Sequence, residues 1–367
     1  MLAIGLILTT YILLVLLALK NWSKVEAKYS GGSKPPATSL IVPFRNEVAN
    51  LPHLVKCLEQ QSHPDFEVIF VNDHSTDAGA EWLNNYCAAE NSVFRLIHLH
   101  EQTGKKAAIE KGVEAAKNEI VVTTDADCSM SSNWLKTVAA PFGLGQVQMV
   151  LGPVMLTGEC LWQKMQSIEF SALIGATKVM TDYGKPSMAN GANLAYRKAA
   201  FNEVGGFDNI NTTPSGDDEL LLQKVQMKHP KGVVFCALPE VLVTTAAAPN
   251  WQVFREQRLR WASKWKENKR KNTIVAALGI VLVQCATLSI PILPVLTNST
   301  GSWLWGVLLA KLLAEFLFIR KVRKAYAFKT PFPYFLLCFI VYPFYAIYFG
   351  LAANFRKFEW KGRTYSP

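Results

Sequence analysis

Residues 38–47 read TSLIVPFRNE, residues 66–77 FEVIFVNDHSTD, and residues 119–127 EIVVTTDAD. Each is a short run of β-branched and aromatic residues that breaks off into a polar cluster. A run of that kind is suited to a buried strand. Between them the pattern changes period. Leu51–Gln61 reads as a helix opened by Asn50 with Pro52 in its first turn. Gly79–Glu90 and Lys105–Lys117 read as helices, and Val93–Leu99 as a further strand. Strands alternating with helices at this spacing predict βαβ units, hence an α/β fold on a mostly parallel sheet. Such sheets bind ligands beyond the carboxyl ends of their strands. The polar clusters that follow Phe44, Asn72 and Thr124 therefore mark where function is expected.

Outward from this core the composition changes. Residues Leu2 to Leu19 are uncharged and mostly apolar, and three more apolar stretches follow at Thr273–Leu296, Ser302–Ile319 and Pro333–Asn354, the second interrupted by Lys311 and Glu315. A helix needs about 20 apolar residues to cross a bilayer, so these are candidate membrane segments. Buried core helices are the alternative. The first run has no basic residues before it and no small-residue cleavage site after it, and Lys20 and Lys24 follow it. It reads as a retained anchor with the next domain on the cytosolic side.

The net charge of +10 invites a nucleic-acid reading, but the basic residues crowd around the apolar stretches, at Arg255–Lys271, Arg320–Lys324 and Arg356–Arg363. That placement suits anionic headgroups and inside-facing loops, so the expected surface partner is a membrane and not nucleic acid. The seven cysteines show no C-x-x-C and no metal spacing with histidine. A scattered, odd set fits a reducing compartment.

Four groups of residues carry chemistry. Asp125 and Asp127, one residue apart at a strand end, can share a hard divalent cation that would neutralise a departing diphosphate; an acidic turn is the plain alternative. Asp73, followed by Ser75, Thr76 and Asp77, offers acceptors to a ribose or base, or forms an Asx-type turn. Asp217-Asp218-Glu219 precedes an apolar run, which places the acids at a helix amino terminus. One of these carboxylates could also act as general base toward a hydroxyl. Last, Gln257-x-x-Arg260-Trp261 lies in a stretch with Trp251, Phe254, Trp261 and Trp265 on one helical face and Arg255, Lys264, Lys266 and Lys269 elsewhere. This predicts a helix lying in the membrane interface, with packing on the protein alone as the alternative.

The order Asp73, Asp125-x-Asp127, Asp218, Gln257-x-x-Arg260-Trp261 resembles the D, DxD, D, QxxRW series of membrane-bound family 2 glycosyltransferases. Pro43-x-Arg45-Asn46-Glu47, Gly104-Lys105-Lys106, Asn190-Gly191-Ala192-Asn193 and Gly205-Gly206-Phe207-Asp208 fit as well, so the similarity spans roughly Ser39 to Trp261. The resemblance implies a GT-A fold and an inverting transfer from a nucleotide-sugar, a UDP-sugar by preference, with Mg2+ or Mn2+. It places Pro43, Arg45, Glu47, Asp73, Lys105 or Lys106, Asp125 and Asp127 around the nucleotide-sugar, Asp127 before Asp125 as metal ligand. Asp218 would be the base, with Asp217 the other choice because the family's usual Glu-Asp is Asp217-Asp218 here. Asn193, Gln257, Arg260 and Trp261 would line the acceptor and diphosphate site.

The domains implied are an anchor at 1–20, a linker at 21–37 containing KYSGGSKPPA, a catalytic domain at 38–249, and an interfacial helix at 250–272. Two or three membrane segments at 273–354 and a basic tail at 355–367 complete the chain. The product is an integral membrane protein of the inner or plasma membrane with a cytosolic catalytic domain. Three short segments make a poor polymer tunnel, which favours a lipid acceptor. The Trp360-Lys361-Gly362-Arg363-x-Tyr365 tail is similar to that of ceramide glucosyltransferase-like members. A processive polysaccharide synthase acting as an oligomer or with a partner, on a glycan acceptor, is the alternative. One conflict stands: four spans would put the basic tail outside. Either the Pro343-centred segment or the one holding Pro291 and Pro294 would then be re-entrant or interfacial.

Overall fold

The computed structural model describes residues 1–22, 35–88, 92–210, 216–263, 271–297, 302–352, 358–360 and 363–365. In chain order the elements begin with α1 (Leu2–Asn21), β1 (Thr38–Phe44), α2 (Leu51–Glu59), β2 (Phe66–Asn72), α3 (Gly79–Cys87) and β3 (Phe94–His98). Then come α4 (Lys105–Ala115), β4 (Ile120–Thr123), β5 (Cys128–Met130), α5 (Trp134–Ala139), β6 (Met149–Leu151) and β7 (Val154–Thr157). A long α6 (Leu161–Asp182) leads to β8 (Leu194–Arg197), α7 (Lys198–Glu203), α8 (Glu219–Lys228), β9 (Val233–Phe235) and β10 (Val243–Ala246). The last part holds α9 (Trp251–Ser263), α10 (Lys271–Thr297), α11 (Trp303–Ala325), α12 (Phe332–Ala352), β11 (Phe358–Trp360) and β12 (Arg363–Tyr365).

These elements form two compact units. The α/β unit comprises Val25–Thr157 and Met180–Ala246. Its main sheet has the order β3-β2-β1-β4-β8-β6-β9, and a second sheet has the order β5-β10-β7. In the main sheet β1, β2, β3 and β4 pair in parallel, whereas β8 runs antiparallel to both β4 and β6. The first strands and helices thus follow the alternation expected from sequence, with helix ends trimmed by a turn or less. Leu40, Ile41 and Val42 of β1 and Val68, Ile69, Phe70 and Val71 of β2 are wholly buried. Each such side chain contributes roughly 1.5–3 kcal/mol relative to exposure. Pro43 fits within β1 because β4 pairs only as far as Ile41↔Thr123, so that flank asks no N–H of it. Against β1 lies α4. A Cβ on Gly112 would stand 2.5 Å from Ile41 Cγ2, so the approach requires glycine.

At the amino-terminal ends of the strands a polar network closes the sheet. Glu67 accepts hydrogen bonds from Ser39 Oγ at 2.7 Å, Lys117 N at 2.7 Å and Arg95 Nη1 at 3.0 Å. Burial raises the Glu67 pKa, but the bonds from Lys117, Ser39 and Arg95 together outweigh it and hold the carboxyl below its ordinary value.

The helical unit comprises Met1–Lys24, Gly158–Val179 and Ala247–Pro367. It therefore claims all but the last three residues of α6, which lies inside the 38–249 stretch that the sequence assigns to one domain. The reason is packing: Gln166 Nε2 donates to Ala248 O at 2.9 Å, Glu169 pairs with Arg258 at 2.8 Å, and Gly175 sits under Phe318. Among the described residues two helices, α1 and α12, are long and apolar enough to cross a membrane. Pro291 and Pro294 lie inside the continuous α10, and Pro343 inside the continuous α12. None of these prolines breaks its helix. Most of the linker and the stretch 264–270, with Lys264, Trp265, Lys266 and Lys269, fall outside the described residues.

Candidate active site

The chain leaves β1, β2 and β4 at one end of the main sheet, and the predicted residues gather there. Arg45, just past β1, donates from Nη1 to the carbonyls of Asp73 at 3.0 Å and His74 at 3.1 Å, tying two strand ends together. The loops are joined further by Asn46 N to Ser75 Oγ at 3.1 Å, Thr76 N to Asn46 Oδ1 at 2.8 Å and Val48 N to Asp77 Oδ2 at 2.8 Å. Asn46 and His74 take the left-handed conformation at φ 54° and 55°, which asparagine and histidine adopt more readily than most side chains. Ser75, Thr76 and Asp77 thus build the turn, as the local-bonding alternative holds. Asp73 is nearly fully buried between them. Glu47 accepts from Asn50 Nδ2 at 2.6 Å.

Lys105 opens α4 and reaches across to the end of β4. Its Nζ lies 2.6 Å from Asp125 Oδ1 and 3.5 Å from Asp217 Oδ2, with 18% of its side chain exposed. Burial pulls the ammonium's pKa down, but Asp125, then Asp217, and more weakly Asp218 prevail, and the group is held well above the ordinary lysine value. Lys105 is therefore a fixed positive charge among acids. Lys106 is used differently, donating to Ile210 O. Nearby, Lys224 Nζ donates to the carbonyls of Gly205, Gly206 and Asp208 at 3.2, 2.7 and 3.2 Å, and Glu110 Oε1 accepts from Phe207 N. Together they hold the Gly-Gly-Phe-Asp turn.

The third acidic element divides into two tasks. Asp217 faces Lys105. Asp218 caps α8: Oδ1 accepts from Glu219 N at 2.7 Å, and Oδ2 accepts from Gly191 N at 3.2 Å. Gly191 is where these groups meet. A Cβ there would stand 2.9 Å from Asp217 Oδ2 and 3.2 Å from Lys105 Nζ, while its carbonyl accepts from Thr123 Oγ1 at 2.8 Å.

Asp127 is held from the second sheet. It precedes β5, which pairs antiparallel with β10 in the register Thr245↔Cys128. Thr245 Oγ1 donates to Asp127 Oδ2 at 3.1 Å. Nothing in the sequence near the acids points to Thr245, which is 118 residues away. Cys128 is no thiolate: burial first, then Asp125 and Asp127, push its thiol up.

Among the described residues no three His, Cys, Asp or Glu side chains form a ready metal cluster. The donor set nonetheless suits a hard divalent cation. Two carboxylates supply oxygen ligands, and such ions commonly complete their shell with water and phosphate oxygens.

Asn193 departs from expectation. Wholly buried, its Oδ1 accepts from Trp134 Nε1 at 3.0 Å and its Nδ2 donates to Pro153 O and Val241 O at 2.8 and 2.7 Å. Its polar atoms are thus occupied inside the unit. It is a scaffold residue and not one that lines an open acceptor site.

Gln257, Arg260 and Trp261 lie on α9, in the helical unit. There Phe254 is buried, packing with Trp162 at 4.8 Å and Phe349 at 5.7 Å, while Trp261 packs at a tilt against Phe170 at 5.7 Å. Arg258 lies between them, its guanidinium 4.7 Å from both the Phe254 and Trp261 rings and paired with Glu169. The aromatic face of the described α9 therefore packs on α6 and α12. Gln257 Oε1 is buried with no hydrogen-bond partner among the described residues.

The chain is similar in sequence and fold to known glycosyltransferases. The model of glycosyl transferase family 2 matches residues 39–205. The chain is 36% identical over 92 residues to undecaprenyl-phosphate 4-deoxy-4-formamido-L-arabinose transferase of Pseudomonas fluorescens, covering 24% of this chain and 27% of that one. It is 25% identical over 236 residues to poly-beta-1,6-N-acetyl-D-glucosamine synthase of Staphylococcus epidermidis, covering 61% of this chain and 53% of that one. The chain thus spans about a quarter of the first relative's length and about half of the second's. In fold it is similar to a mannosyltransferase from Pyrobaculum calidifontis solved with GDP-Man and Mn2+. That match has a TM-score of 0.58 at 18% identity and covers 89% of this chain and 99% of that one. Residues 39–205 thus carry a glycosyl transferase family 2 domain, and the parallel-dominated α/β sheet is of GT-A type.

Proposed function

We propose that this enzyme moves a sugar from a nucleoside-diphosphate sugar, a UDP-sugar by preference, to a membrane-lipid acceptor with inversion at the anomeric carbon. The observation that carries the reading is the meeting of Asp125, Asp217 and Lys105 beside Asp218, which is anchored through Gly191. Arg45 and the buried Asp73 stand at the neighbouring strand ends, suited to hold the nucleoside, with Pro43 and Glu47 flanking them. Lys105 supplies fixed positive charge where the diphosphate would lie. Asp127, with Asp125, would hold Mg2+ or Mn2+, whose charge offsets that of the departing diphosphate.

Asp218 is the better base. Backbone N–H groups orient its carboxylate, whereas Asp217 is engaged by Lys105. In the transfer the acceptor's O–H bond breaks and its proton passes to the Asp218 carboxylate. The acceptor oxygen forms the new bond to the anomeric carbon. The old carbon–oxygen bond breaks with its electron pair going to the diphosphate. Gln257, Arg260 and Trp261 would serve acceptor and diphosphate, since arginine suits phosphate oxygens.

A lipid acceptor is supported by the named substrate of the Pseudomonas relative, and a membrane setting, with catalysis on the cytosolic side, by α1, α12 and the basic residues that flank the apolar helices. A polysaccharide product is the second reading, because the synthase similarity covers more of the chain. Detergent-solubilised protein offered UDP- and GDP-sugars, Mg2+ or Mn2+, and a membrane-lipid extract decides between them. The expected product is a lipid heavier by one sugar, lost by about 10²-fold or more in Asp127→Ala and Asp218→Ala. A ladder of products replaces the lipid reading with the polymer one. Absence of donor turnover defeats both.

A further inference from the structure

By composition α12 is the best carboxyl-terminal candidate for a membrane span, yet its contacts place it otherwise. At 21 residues it is about 31 Å long, enough to cross the hydrocarbon layer. A crossing helix would have its two ends on opposite sides of that layer. Here, while α12 packs along α10 and its first turn meets Phe316 of α11, both ends also rest on one platform made of α6 and α9. Near its start, Tyr334 lies under Lys164 Nζ at 5.8 Å and Cys338 Sγ is 3.8 Å from Met165 O. Near its end, Phe349 packs on Trp251 at 6.0 Å and Phe254 at 5.7 Å, and Tyr345 packs on Phe254 at 5.7 Å. The platform is itself continuous, since Trp162 of α6 touches Trp251 and Phe254 of α9. Farther along, β11 packs against α9.

The remaining apolar helices behave differently. α1 and α11 run side by side in the same direction. Gly5 faces Trp303, Tyr11 OH donates to Glu315 Oε1 at 2.7 Å, Lys321 Nζ donates to Leu19 O at 3.1 Å, and Trp22 meets Tyr326. Leu8, Val283, Ala286, Ile290 and Leu304 bind α10 to both. α6 crosses the far end of this bundle, where Arg323 Nη1 donates to Ser167 and Ser171 and Lys178 lies over Trp22. That end carries Lys20, Arg320, Lys321, Arg323 and Lys324, whereas residues 297–303 between α10 and α11 hold no charge.

We propose that α1, α10 and α11 cross the bilayer and that α12 does not: it lies in the plane of the charged, inward-facing interface as a lipid-docking helix. Its outward stripe of Ile340, Phe344 and Leu351, each more than half exposed and opposite the buried Phe335, Cys338 and Phe349, faces the acyl chains. With three crossings instead of four, the basic tail ends on the side where α1 ends, and the charge conflict read from sequence disappears. The inference rests on the membrane setting argued above.

Reporters in the full-length protein test it. Green fluorescent protein, dark when exported, and alkaline phosphatase, active only when exported, would be fused after Pro367 and inserted at Ser302. The expected result is fluorescence with background phosphatase at Pro367, and the reverse at Ser302. A bimane on Phe344→Cys should lose more emission to a spin label placed high on the lipid chain than to one near the bilayer centre. Phosphatase activity at Pro367, or strongest quenching from the centre, overturns the in-plane helix while the membrane setting stands. Release of the protein by alkaline carbonate overturns both.

Discussion

The two ends of the main sheet use acids in opposite ways. At the amino-terminal end Glu67 is saturated: a hydroxyl, a backbone N–H and a guanidinium all point at it. At the carboxyl-terminal end Lys105 pairs with Asp125 and Asp217, Thr245 donates to Asp127, and backbone N–H groups donate to Asp218. Charge satisfied by the protein itself closes a fold. Acids gathered at the carboxyl ends of strands, where such sheets bind ligands, suit the diphosphate and cation proposed above. Glu67 should therefore matter to stability and not to chemistry, and the residues around Gly191 the reverse.

The largest effect is expected from Glu67→Ala. It strands three donors, one of them charged, and should cost about 2–4 kcal/mol in chemical denaturation. Turnover per folded molecule should stay at the parent level; a drop in that value would break the contrast between the ends. Gly191→Ala probes the other end. The added Cβ must push on Asp217 and Lys105, and turnover should fall about tenfold to a hundredfold, equal to roughly 1.4–2.7 kcal/mol in barrier. Its denaturation midpoint should shift little, and a large shift with intact turnover would mean the glycine serves packing alone.

The smallest effect concerns acid. The folded-state pKa of Glu67 lies below its unfolded value. Its contribution is thus complete above the unfolded value, about 4.3, and is lost as pH falls through the folded one. The stability gap between the parent and Glu67→Gln should be flat from neutrality to about pH 5 and narrow below about pH 4. A gap that stays constant into acid would show that the carboxylate's charge is not what the network holds.

Contrast within the helical unit teaches a related lesson. Arg258 and Glu169 are both nearly buried, and the arginine sits between two aromatic rings inside the Gln-x-x-Arg-Trp stretch. Sequence alone makes Arg258 an unremarked position between the motif residues. Its partner is 89 residues earlier on α6, and no local periodicity links the two. Asn193 is the complementary case: it stands among motif-like residues, yet its bonds to Trp134, Pro153 and Val241 make it part of the frame.

Local chemistry was enough to settle the strand–helix alternation, the polar clusters at three strand ends and the order of the acidic elements. Strand period, turn residues and helix starts depend on neighbours a few positions apart, and those are written in the chain. Lys105 rather than Lys106 beside Asp125, Thr245 on Asp127, Gly191 under Asp217 and both ends of α12 on α6 and α9 were decided only in three dimensions. Each joins residues brought together by sheet order or helix packing across tens to hundreds of positions. An apolar helix reads the same in sequence whether it crosses a bilayer or lies along its edge; what separates the two is the partners that its ends meet.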